Sequence, residues 1–183
     1  ARMALAYAGI LTDQKEVDLK NKPLELIMTS SKATVPVLKL ENGHVIDESI
    51  DIMRWALKQS DPDGWLEPAL KAECDELVYL NDTSFKPILD NYKYPQRAEK
   101  KEPIYYRDKA TNYLNRLNIL LMQHQYLLAD HITFADVALF PFIRQFYLVD
   151  QQWFEQSDYK LLNIWLASFL NADLFLSVMK KGE

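Results

Sequence analysis

At 183 residues the chain has length for one or two small domains, and 49% apolar with 26% charged residues is ordinary for a globular protein. A net charge of −5 argues against nucleic acid as a main partner. Nothing approaches the roughly 18 continuous apolar residues of a membrane span, and no basic stretch leads into an apolar one as in a signal peptide. A single cysteine, Cys74, excludes an internal disulfide framework and fits a reducing, cytoplasmic setting. His44, His124 and His131 share no ligand spacing with one another or with Cys74, so no metal site is expected.

In chain order, residues 1–8 read as the tail of a helix, with Gly9 at C′ and Ile10 as the apolar residue beyond it. Isolated helices this short are marginal, so its start is expected ahead of Ala1. Residues 15–19 alternate and predict a strand, and Pro23 opens a short helix over 23–28. Val35 to Leu40 is a second strand, Asn42-Gly43 predicts a type I′ hairpin turn with both residues at positive φ, and Val45-Ile46 is the return strand. Asp47-Glu48-Ser49 then opens a helix over about 49–59 with Ile50, Met53, Trp55, Ala56 and Leu57 as its apolar residues. The breakers at 60–64 (Ser-Asp-Pro-Asp-Gly) are the best domain boundary in the chain.

Beyond that boundary the pattern is helical. Leu70, Cys74, Leu77, Asn81, Ser84 and Ile88 mark one face from about 67 to 91, with Pro87 expected to kink or end it. The charged run 99–102 reads as an exposed connection. A second long helix is expected over about 103–123. Thr133-Phe-Ala-Asp136 is a capping box, and the nearly all-apolar run after it predicts the buried central helix of its domain, bent at Pro141. Helices over about 159–170 and 172–180 finish the chain.

The chemistry concentrates in 32–52. Pro36 near the start of a strand suits an edge or a special turn. A cis Val35-Pro36 bond would leave the N–H and C=O of Val35 free to pair with an extended peptide laid alongside. Ser49, at a helix start, offers a hydroxyl and nearby unsatisfied N–H groups for a carboxylate, and Glu48 offers an anion for an ammonium. Together these describe a site for a small γ-glutamyl peptide. Glu48 and Ser49 also suit an ordinary helix N-terminus, and the two readings are compatible. Asn81 and Asp82 interrupt an apolar stripe, either capping a neighbour, holding a water or facing a second substrate. Cys74, on an apolar face among acidic neighbours, reads as a small buried hydrophobe rather than a nucleophile.

Thr-Val-Pro-Val-Leu, a hairpin and Glu-Ser-Ile-x-Ile resemble the glutathione-binding half of the glutathione transferases. Asp-Leu-Lys-Asn-Lys-Pro at 18–23, with the spacings from Lys22 to Val35 and from Val35 to Glu48, is more similar to the omega class and its bacterial relatives than to the tyrosine or serine classes. The resemblance implies an α/β thioredoxin-like domain over 1–61, lacking its first strand in this chain, followed by an all-α domain over 65–183. It implies glutathione as co-substrate, held by Lys22 on the glycyl carboxylate (with Lys20 as a possible substitute), by Val35 and Pro36 along the backbone, and by Glu48 and Ser49 on the γ-glutamyl head. The reactive residue, a cysteine in omega-like members, is expected upstream of Ala1, so the chain from Ala1 onward is expected to be impaired in catalysis. Thiol transfer or conjugation to a small hydrophobic or disulfide substrate, by a homodimer, is the implied activity. The competing expectation is a non-catalytic protein on the same fold, as in stringent-starvation-type relatives.

Overall fold

The computed structural model describes residues 1–97 and 101–180. They form two compact units, 1–63 together with 173–180, and 64–97 together with 101–172. The sequence reading carries the helical domain on to 183. In the structure the last described helix, Asp173–Met179, packs against the first, Arg2–Tyr7, in the first unit. Part of the charged connection expected at 99–102 lies outside the described residues.

In the first unit, α1 (Arg2–Tyr7) ends in a Schellman motif. Gly9 sits at φ 70°, Ile10 N–H donates to Leu5 C=O at 2.9 Å, and Gly9 N–H donates to Ala6 C=O at 3.1 Å. Met3, Ala4 and Leu5 are buried and turned toward α3 (Ser49–Gln59) and α10 (Asp173–Met179). Residues 10–18 form no strand despite the alternation at 15–19: a ladder needs a partner strand, and none among the described residues pairs with it. The segment instead makes exposed ion pairs, Lys15 with Glu25 at 3.0 Å and Glu16 with Arg2. α2 (Leu24–Thr29) follows Pro23 as expected and buries Leu26.

The hairpin is shorter than predicted and its turn is of another kind. β1 (Leu38–Lys39) pairs antiparallel with β2 (Val45–Ile46), with Leu38 opposite Ile46 and Lys39 opposite Val45. Leu40 N–H donates to His44 C=O at 2.8 Å, so the loop is Glu41-Asn42-Gly43, three residues instead of two. Only Gly43 takes a positive φ (84°), while the Asn42 side chain accepts from His44 N–H at 2.9 Å. A three-residue loop needs one left-handed residue at its end, and glycine supplies it without a Cβ clash. The Val35–Pro36 bond is cis. α3 buries Ile52, Met53, Ala56 and Leu57; Trp55 and Ile50 are only half-buried.

The second unit is built on α4 (Lys71–Leu80), α5 (Lys86–Lys93), α6 (Pro103–Leu120), α7 (Phe134–Tyr147), α8 (Gln151–Gln156) and α9 (Lys160–Leu170). Between α4 and α5 the helix widens into a π turn, Asn81–Phe85, in which Lys86 N–H donates to Asn81 C=O. The predicted face ran through Ser84 and Ile88, whereas the buried residues are Phe85 and Leu89. The wide turn takes up one extra residue and moves the apolar stripe along by one. It also precedes Pro87, which has no N–H for a regular i→i−4 bond.

α7 is the buried centre, with every residue from Phe134 to Phe140, and then Ile143 and Phe146, out of solvent. Its capping box is complete. Asp136 accepts from Thr133 N–H (2.9 Å), Thr133 Oγ1 (2.6 Å), Leu127 N–H (2.9 Å) and Trp165 Nε1 (2.8 Å), which ties α7, the preceding loop and α9 together. No single helix among the described residues is long and apolar enough to cross a membrane.

Candidate functional site

The first turn of α3 and the loop leading into β1 hold most of the residues singled out above. Glu48 is the N-cap of α3, in extended conformation, and its C=O accepts from Ile52 N–H at 2.9 Å. No side chain caps this end, so the first-turn N–H groups, Ser49's among them, point outward without helical partners. The Ser49 hydroxyl makes no hydrogen bond among the described residues. A hydroxyl and free amides at the positive end of a helix form a receptor for a carboxylate.

Val35, 45% exposed, has no hydrogen-bond partner on its N–H or C=O among the described residues, and the ladder begins only at Leu38. Those two groups can bond an extended backbone laid beside them. Pro36 is exposed next to it. Lys22 is exposed in the segment before α2, and no contact joins it to Val35, Glu48 or Ser49. Its neighbour Lys20 is likewise exposed.

Three residues the sequence reading did not assign to the site surround Glu48. Lys32 Nζ pairs with the Glu48 carboxylate and lies 3.5 Å from Asp47 Oδ1. Ser30, buried, donates to Asp47 Oδ2 at 3.0 Å. The hydrogen bond to Glu48 is the main cause that holds the Lys32 ammonium above its ordinary pKa. The signal available in the sequence was charge complementarity between a lysine ahead of the first strand and the acid pair after the second.

The other candidates lie elsewhere. Cys74 is buried on α4, where burial pushes its thiol pKa up. A thiol so placed is a packing residue. Asn81 is buried in the π turn, where its Oδ1 accepts from the Tyr113 hydroxyl at 3.4 Å and its amide donates to Asp82 at 3.2 Å. Asp82 in turn pairs with Lys86 at 2.6 Å. These contacts favour the structural role for Asn81 and Asp82. Burial pushes the Tyr113 hydroxyl far up. His131 faces Glu67 at 3.3 Å, and His124 stands 3.9 Å from Asp130. Among the described residues no three His, Cys, Asp or Glu converge as metal ligands.

Residues 1–59 match the model for the N-terminal domain of glutathione S-transferases, and residues 81–172 match the model for their C-terminal domain. The chain belongs to the glutathione S-transferase family. It is 28% identical over 147 residues to a probable glutathione S-transferase, parA, of Nicotiana tabacum, covering 80% of this chain and 66% of that protein. The chain thus spans just under two thirds of the length of that relative.

Solved transferase structures share its fold. An epsilon-class glutathione S-transferase from the housefly, Musca domestica, superposes with a TM-score of 0.82 at 23% identity, covering 96% of this chain and 84% of that one. The bacterial glutathione transferase BphK, in a ternary complex, gives 0.80 at 18% identity, covering 97% and 90%. The fold is therefore a thioredoxin-like α/β unit joined to an all-α unit.

Proposed function

We propose that this chain binds glutathione in its first unit. In this reading the peptide backbone of the ligand pairs with Val35 beside Pro36, and the γ-glutamyl head sits at the start of α3. The α-carboxylate takes the Ser49 hydroxyl and the first-turn amides. The α-ammonium takes Glu48, and the glycyl carboxylate takes Lys22. The observation that carries the reading is the pairing, at one helix start, of an uncommitted hydroxyl with an acid, downstream of a strand lead-in whose amide and carbonyl are both open. That set has the charge pattern of an amino-acid head followed by a short peptide.

The activity that fits is glutathione transfer. With a cysteine ahead of Ala1, as the omega-like resemblance implies, its thiolate attacks the sulfur of a mixed disulfide carrying glutathione. The substrate leaves as a thiolate that takes up a proton, and a second glutathione resolves the enzyme-bound disulfide. With a hydroxyl residue there instead, the bound glutathione thiolate attacks a small hydrophobic electrophile. A cytoplasmic homodimer is the assembly in keeping with the resemblance.

Isothermal calorimetry with glutathione tests the site. Ser49→Ala and Glu48→Ala should each weaken binding about tenfold or more, because each removes a bond to a charged group. Lys22→Ala should weaken it about two- to fivefold, the range for an exposed point charge. Unchanged affinity in all three variants removes glutathione from this site.

A further inference from the structure

The acid assigned to the ligand's ammonium is already engaged by a cation of the chain itself. Lys32 lies in the turn Ser30–Ala33, closed by Ala33 N–H on Ser30 C=O at 2.9 Å. Ala33 sits at φ 47°, the one non-glycine described residue in the left-handed region, where a Cβ is unfavourable. Beyond this turn the Lys32 ammonium bonds Glu48 and stands 3.5 Å from Asp47, whose other oxygen is held by buried Ser30. Two carboxylates share one ammonium, which leaves a net charge of one negative.

We propose that Lys32 is an internal competitor for the ligand's α-ammonium: it holds Glu48 in the free chain and retreats to Asp47 when that ammonium binds. The proposal rests on the glutathione reading above. The exchange is cheap in both directions. The Lys32 and Glu48 side chains are each about half exposed, 50% and 56%, and pairs so exposed are weak. Asp47 offers the displaced lysine a second counter-ion that Ser30 keeps in place. The ligand wins the exchange because its ammonium arrives with a carboxylate for Ser49 and the first-turn amides, which a lysine cannot supply. Lys32 therefore sets how strongly the site prefers ligands that carry an α-ammonium.

The test is calorimetry on the full chain with two ligands, glutathione and its analogue lacking the α-amino group. Lys32→Met should bind glutathione about two- to fivefold tighter than the parent chain. The same variant should bind the deaminated analogue no tighter, and Lys32→Arg, which keeps the cation, should bind both as the parent does. Unchanged or weaker glutathione binding by Lys32→Met overturns the proposal, and so does equal tightening on both ligands. If Glu48→Gln weakens glutathione while Lys32→Met changes nothing, the glutathione site stands and only the competition falls. If Glu48→Gln, Ser49→Ala and the parent chain bind alike, or the parent binds no glutathione, the glutathione reading itself falls, and the competition with it.

Discussion

The two units bury their polar groups to opposite ends. Around α7, in the second unit, the Asp136 carboxylate is enclosed with four donors directed at it, one of them from Trp165, whose ring packs with Phe140, itself stacked on Phe169. At the start of α3, in the first unit, Lys32, Asp47 and Glu48 form ion pairs in partial contact with water, and Ser49 is left uncommitted. Buried networks fix one arrangement because every alternative strands a polar group; exposed ones can be exchanged for a ligand's groups at little cost. The first unit also leaves Leu11, Leu24 and Met28 largely in solvent. Rigidity thus belongs to the helical unit, and exchangeable chemistry to the α/β unit.

The contrast is broken most severely at Asp136. Asp136→Ala leaves the Leu127 and Thr133 amides and the Trp165 indole N–H buried without acceptors, and should cost about 3–5 kcal/mol in denaturant unfolding. A loss below about 1 kcal/mol would mean that water or a rearranged loop replaces the carboxylate.

The first unit can be probed by pH at Tyr7. Burial is the main cause that raises its hydroxyl to about 12; Asp61 and Asp63 add to this, while the Asp63 N–H, donating to the hydroxyl at 2.6 Å, opposes it. The neutral phenol is thus favoured in the fold. Its contribution is fully present below the ordinary value near 10 and is lost as pH rises from there to about 12. Thermal unfolding followed from pH 9 to 12 should fall less steeply for Tyr7→Phe than for the parent chain. Parallel curves would show that Tyr7 is not coupled to folding.

The smallest effect is expected at the exposed face of α2. Met28→Ser, at a side chain 78% exposed, should move stability by no more than about 0.5 kcal/mol. A larger loss would reveal that this face is covered in solution.

What could be read from the sequence was what short-range chemistry decides. Thr133 and Asp136 are three residues apart, and their capping box follows from that spacing alone. Gly9 and Ile10 announced the end of α1 in the same way. α8 carries a comparable local signal, Asp150 accepting from Trp153 N–H at 3.0 Å as its N-cap. Partners distant in sequence were not legible. Trp165 on Asp136 and Lys32 on Glu48 join residues that no local pattern relates. The hairpin shows the intermediate case. Asn42-Gly43 marked the turn correctly, but whether the loop held two residues or three depended on the register of Leu38 against Ile46. The alternation at 15–19 shows the converse, a strand-like pattern with no strand beside it.

The π turn at Asn81–Phe85 makes the helix through α4 and α5 equivalent to an ordinary helix carrying a one-residue insertion. Excising exposed Ser84 should therefore close the turn into regular α-helix with Leu77 and Leu89 still facing the interior, whereas the same excision within α4 would rotate everything after it by about 100°. The shortened helix would bring the Pro87 ring against a carbonyl four residues before it, so length variation at this point is coupled to the identity of residue 87.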